Sequence, residues 1–193
     1  MEEKIRGKQA VMAAVVKAAT ELFSESAPSS VSIRDIAAKA GVNHGLIHRH
    51  FGSKQNLMAE VLAGIDSRLK ASAAGAGSFN EAFEKAASAA IDMPEIWKIP
   101  ARLVMDGEIE LLTKNRKSYL ADLRTRAKEQ MNDKTFYNFS PDESLLMLIS
   151  LGFGLEMFGD YISSAMGIEN PDVAEVLKKI IPMFPVGNKD AKG

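Results

Sequence analysis

From Met12 onward the apolar positions Met12, Val15, Val16, Ala19, Leu22 and Phe23 recur at intervals of three and four, the period of a helix with one buried face. The run SAPSS at 26–30 stops it. Ser32 stands three residues before Asp35, a spacing in which a hydroxyl and a carboxylate satisfy the free amides of a helix start. That second helix runs through Ile36, Ala37 and Ala40 to Gly41, a residue suited to the left-handed turn that ends helices. Asn43 can cap a third, in which Leu46 and Ile47 lie near Phe51. Two short helices joined by a glycine turn form a helix-turn-helix. GSK at 52–54 breaks the chain again, and Ser53 caps a longer helix through Leu57, Val61, Leu62, Ile65 and Leu69 to about Ala73.

The small, glycine-bearing run ASAAGAGS at 71–78 marks a domain boundary. Beyond it the pattern predicts helices at about 79–92, 95–113, 116–131, 142–166 and 171–184, with Pro94, Pro141 and Pro171 near helix starts, where a missing amide costs little. Strand signals are almost absent, so the fold class is all-α. The expected organisation is a helix-turn-helix head at 1–52, a connecting helix at 53–74, a helical body at 75–187 and a frayed tail at 188–193. The apolar run LLMLISLGFGLEMFG at 145–159 falls short of the ~18–20 residues of a membrane span, and Glu156 and Asp160 interrupt it, so it reads as a core helix.

Composition narrows the chemistry. A chain of 193 residues with 46% apolar content can bury a core as one large or two small domains. It has no cysteine, which excludes a disulfide framework, a thiolate zinc finger and a thiol redox switch. The opening MEEKIRGKQ has no apolar signal region, so a cytoplasmic location is expected. Residues 1–56 carry eight Lys/Arg against five Asp/Glu, and the remainder 16 against 20: a mildly basic head on an acidic body.

All three histidines, His44, His48 and His50, lie in the stretch GVNHGLIHRHFGSK at 41–54. His44 and His48 are four apart and share a helix face, as a metal site would require. A third ligand is missing: there is no cysteine, no Asp or Glu lies between Asp35 and Glu60, and His50 points about 200° around the helix from His48. The same spacing suits a helix lying in a DNA major groove. Gly45 would let backbone approach the duplex, Arg49 and Lys54 carry charge for phosphates, and imidazole donates to phosphate or base without being protonated.

The run SIRDIAAKAGVNHGLIHRHFGSKQNLMAEVL, 32–62, resembles the DNA-binding region of the TetR family of bacterial transcription regulators. Ile36, Ala37, Ala40, Gly41, Val42, Gly45, Ile47, His50, Phe51, Ser53, Lys54 and Leu57 match the family pattern in one register. With the helix ending at Thr20 to Phe23, the resemblance covers roughly residues 6–65. It implies a three-helix head whose third helix, about 43–49, reads the major groove of an operator, while Lys54 and His50 hold the backbone. The DNA-binding candidates are Ser32, Arg34, Asn43, His44, Gly45, His48, Arg49, His50 and Lys54. His48 stands where the family usually has tyrosine, so a shorter polar contact replaces an aromatic one.

The resemblance further implies a divergent ligand-binding and dimerisation body. Leu148, Leu151, Leu155, Phe158 and Ile162 alternate three and four apart, with Gly152, Gly159 and Ser163 as a small-residue stripe for close helix approach. Together with Val173, Val176, Leu177, Ile180 and Ile181 they suggest a four-helix homodimer contact. Trp97, Leu103, Met105, Tyr119, Met147, Phe153 and Met157 are the candidates to line a pocket for a small, mostly apolar effector. Asp106, Glu108 and Glu110 read either as polar ligand contacts or as a solvated acidic face. No nucleophile motif or phosphate loop marks an enzyme, and no catalytic residue, cofactor or metal is assigned. The expected function is a repressor released by its effector. An activator or co-repressor-dependent regulator stays open, as does, in another class, a metal-binding helical protein.

Overall fold

A computed structural model describes residues 7–113, 118–130, 139–169 and the single positions 172, 175, 176 and 179. Among these residues all regular structure is helical. The described residues fall into two compact units, one within Met1–Ile65 and Lys98–Arg116, the other within Asp66–Trp97 and Lys117–Gly193.

In the first unit α1 (Lys8–Glu25) packs on α2 (Ile33–Lys39) and α3 (His44–Phe51), with a 3₁₀ turn at Pro28–Ser30 between α1 and α2. α1 begins before Met12, and its buried face is Val11, Val15, Ala18, Ala19 and Phe23; Met12, Val16 and Leu22 are half-buried. Ile36, Ile47, Leu57, Val61 and Leu62 complete this core, all nearly inaccessible. α4 (Lys54–Ser72) is unbroken and contributes residues to both units.

The helix expected over 95–113 is two helices, α6 (Glu95–Met105) and α7 (Ile109–Thr113). Gly107 between them has φ +79, a left-handed conformation that stops α6 and that an L side chain adopts only under strain. The Asp-Gly pair at 106–107 was the available signal for that turn. Chain order also conceals that 98–113 groups with the head rather than with its neighbours in sequence.

The second unit holds α5 (Phe79–Ile91), α8 (Tyr119–Gln130) and α9 (Pro141–Ala165), with α8 against both of the others. α9 is opened by Ser140, whose hydroxyl accepts from the Glu143 amide while the Glu143 carboxylate accepts from Ser140. Arg124 grips Asp142 at 2.9 and 2.7 Å, a two-point contact joining α8 to α9. α9 is not the core helix expected. By length and composition its 25 residues could cross a bilayer, and only 22% of its apolar window is buried within the chain. Leu145, Leu148, Gly152 and Gly159 turn inward, whereas Leu146, Phe158, Tyr161 and Ile162 stand in the open. Of the expected last helix at 171–184, most lies outside the described residues.

Gly152 has a function inside the subunit. A Cβ placed on it would lie 2.7 Å from Cη2 and 3.0 Å from Cζ3 of Trp97. The small residue makes room for the indole, which corrects its assignment to the subunit contact.

Candidate nucleic-acid interface

The entry to α2 is a closed capping box. The Ser32 hydroxyl donates to Asp35 Oδ2 at 2.6 Å, the Ser32 amide donates to the same oxygen at 2.8 Å, and Ser32 Oγ accepts from the Asp35 amide at 3.2 Å. These bonds hold the Asp35 carboxyl below its ordinary pKa, the Ser32 hydroxyl contributing most. Since the Ser32 proton is committed to Asp35, Ser32 positions α2 and has only a lone pair to offer a ligand. Arg34, one residue into the helix, is exposed and pairs with no other described residue.

Lys39 lies 3.2 Å from Glu21 and 3.7 Å from Glu25, tying the far end of α2 to α1. Gly41 at φ +65 makes the turn, and the Val42 amide closes it on the Ala37 carbonyl at 3.0 Å. Asn43 then caps α3, its Oδ1 accepting from the Gly45 amide at 2.8 Å. A Cβ on Gly45 would press on that same oxygen at 3.2 Å, so glycine serves the cap as well as opening the outer surface.

Ile47 and Phe51 fix the orientation of α3 by burial. At about 100° per residue, Gly45 and Arg49 then lie on the side opposite the core, with His48 on one flank and His50 on the other; His44, the first residue of α3, lies nearer the core side and is exposed at the helix start. His44, Gly45, His48 and Arg49 are exposed and His50 is half-buried. The result is a polar outer face with a glycine gap and no carboxylate, suited to the acceptor-rich edges and phosphates of a major groove. His48 Nδ1 stands 3.4 Å from the Gly52 carbonyl, which ties the ring to the end of its own helix. Among the described residues no three His, Cys, Asp or Glu groups gather as a metal-ligand set.

α4 starts beside α3 through Gly52 at φ +77, and Ser53 Oγ accepts from the Asn56 amide at 3.1 Å. Asn56 also donates to the Phe51 carbonyl at 2.9 Å, a brace between α3 and α4 that the motif reading passed over. Lys54 is half-buried, with Nζ 3.4 Å from the Ser29 carbonyl. Burial lowers its pKa, opposed by the carboxylates of Asp106 and Glu108. Asp106 Oδ2 itself accepts from the Ser29 amide at 3.1 Å, so this side chain, read from sequence as a ligand contact or a solvated charge, braces the head.

The effector candidates are dispersed. Leu103 and Met105 belong to the first unit, where Leu103 is core and Met105 is 73% exposed. Trp97, Tyr119, Met147, Phe153 and Met157 belong to the second. Trp97 and Phe153 meet edge to face with centroids 5.0 Å apart, and the indole N–H donates to the Ala90 carbonyl at 3.1 Å. Tyr119 is buried and donates to the Ala82 carbonyl at 3.0 Å; burial pushes its pKa up to about 12. Its polar end is therefore used by the fold. Met147 is exposed and Met157 half-buried.

Residues 15–61 match the family described as bacterial regulatory proteins, tetR family. The chain is 34% identical over 170 residues to the HTH-type transcriptional repressor Rv3405c of Mycobacterium tuberculosis, covering 84% of this chain and 81% of that protein. It is 28% identical over 131 residues to the HTH-type transcriptional repressor KstR2 of Rhodococcus jostii, 64% of this chain and 62% of the relative. Among solved structures the fold is similar to HlyIIR, a hemolysin II transcriptional regulator, with TM-score 0.62, 18% identity and coverage of 92% and 98%. NalD, a repressor from Pseudomonas aeruginosa, gives TM-score 0.57, 22% identity and coverage of 95% and 100%. These relatives are transcription regulators rather than enzymes, and both Rv3405c and KstR2 are named as repressors. With its capped helix-turn-helix and that relationship over most of its length, the chain belongs to the TetR family of DNA-binding transcription regulators.

Proposed function

We propose that the protein acts in the cytoplasm as a homodimeric repressor that binds a near-palindromic operator through α3 and is released by a small, mostly apolar effector. The observation that carries the DNA-binding part is the polar outer face of α3, with Gly45 and Arg49 outermost, His48 on the flank and His44 exposed at the helix start. Base contacts come from that face; Arg34, His50 and Lys54 serve phosphates, while Ser32 and Asn43 hold the helices in register. Dimerisation is supported by the exposed apolar side of α9, where Phe158 and Ile162 are 58% and 48% exposed, a surface that a second copy of the chain would cover.

The effector part rests on the Trp97–Phe153 pair and on Met147 and Met157, apolar side chains of the second unit that are not fully buried. Such a ligand releases DNA by binding the DNA-incompetent arrangement more tightly, and α4, continuous from head to body residues, offers the route. The functional division proposed is a head at 1–52, the connecting helix at 53–74 and an effector and dimerisation body beyond.

Selection of duplexes from a random pool tests the DNA-binding and dimer parts together. The expected winners contain two inverted half-sites whose centres are ~34–36 Å apart or a multiple of that. Enrichment of a single asymmetric site, or no enrichment, would count against the reading.

A further inference from the structure

The Ser29 peptide is gripped from both sides: its amide donates to Asp106 Oδ2 at 3.1 Å, and its carbonyl accepts from Lys54 Nζ at 3.4 Å. Two side chains far apart in sequence, one acidic and one basic, are thereby brought to a single residue of the loop between α1 and α2. Gly107 at φ +79 turns the chain immediately after Asp106 and leads to Glu108, whose charge also acts on Lys54. Ser29 and Asp106 are both exposed, so the brace lies at the surface of the head.

We propose that Asp106 and Glu108 are positioning residues for DNA binding: they supply an intramolecular counter-charge to Lys54 that a DNA phosphate must outcompete. This rests on the phosphate role given to Lys54 above. Three features support it. Lys54 is held at Ser29 rather than extended into solvent. The two carboxylates are the charges that act on its ammonium, in opposition to the cost of its burial. Asp106 accepts from the same residue that Lys54 donates to, which holds its charge on the Ser29 side of the head. A phosphate arriving at Lys54 meets a partly neutralised cation and two nearby negative charges. Affinity for any duplex is therefore set below what the basic groups alone would give, with no effect on which bases are read.

The test uses the full-length protein, its selected operator and a random duplex over a salt series. Asp106→Asn keeps an oxygen for the Ser29 amide and removes only the charge; Glu108→Gln removes the second. The double variant should bind operator and random duplex more tightly by a similar factor, on the order of threefold to tenfold at low salt, with the gain shrinking as salt screens it. A residue that merely held the fold would weaken binding when altered. In a Lys54→Ala background the gain should largely vanish. Lys54→Ala alone should weaken both duplexes and lower the salt slope by about 1. If Lys54→Ala changes neither affinity nor slope, the phosphate role of Lys54 fails, and the competition with it. If Lys54→Ala behaves as expected but the acidic variants gain nothing, or gain equally without Lys54, the competition is refuted and the phosphate role stands. Should Asp106→Asn lower the melting temperature, binding is read well below that temperature, and the presence or absence of the gain in the Lys54→Ala background decides.

Discussion

Phe23→Ala should destabilise the protein by about 3–5 kcal/mol, because truncating a large buried aromatic loses its transfer energy and leaves a cavity that the surroundings fill only in part. Phe23 is 0% exposed on α1, the helix that packs on both α2 and α3. Neither of those helices is long enough to persist alone, with 7 and 8 residues, so their geometry depends on this support. Against a total stability of roughly 5–15 kcal/mol, the loss should abolish operator binding near 37 °C and leave it measurable in the cold. Thermal unfolding and binding at two temperatures would check this. A variant with the parent's melting temperature would mean that the Phe23 site is not the core described.

Gly152→Leu should lower the melting temperature by roughly 2–12 °C, the result of forcing about 1–3 kcal/mol of overpacking on a chain of this size. The indole of Trp97, whose Cη2 would stand 2.7 Å from the new Cβ, has little freedom to yield. Its N–H is bonded to Ala90 and its ring meets Phe153 in a perpendicular contact. Trp97→Ala in the same chain should recover part of the loss by emptying the space. The alternative outcome is informative too: unchanged melting with weakened self-association would return Gly152 to the subunit contact.

What could be read from the residues alone was whatever is local. The Ser32–Asp35 box, the Gly41 turn and the Asn43 cap each operate over one to four positions, so their spacing in the chain is nearly their spacing in space. Burial of Ile47 and Phe51 followed from the same periodicity and oriented the histidines. The contacts that escaped join residues distant in the chain. Nothing near Asp106 announces Ser29, and nothing near Gly152 announces Trp97. Periodicity also mistook the 95–113 segment for one helix, since apolar positions continue across Gly107 while the backbone does not. On α9 the pattern is apolar on more than one face, and a pattern cannot say which face the subunit itself covers.

The central claim is that the exposed face of α3 reads bases while Lys54 holds phosphate, and one comparison tests it most directly: affinity for operator and for random duplex, measured at matched salt, for the parent, for His44→Ala with His48→Ala, and for Lys54→Ala. The histidine variant should lose about tenfold or more of the ratio of operator to random binding, whereas Lys54→Ala should weaken both alike and leave that ratio intact. A histidine variant that keeps the full ratio, or a Lys54 variant that loses it, would contradict the assignment of α3 as the reading helix and of Lys54 as the phosphate contact.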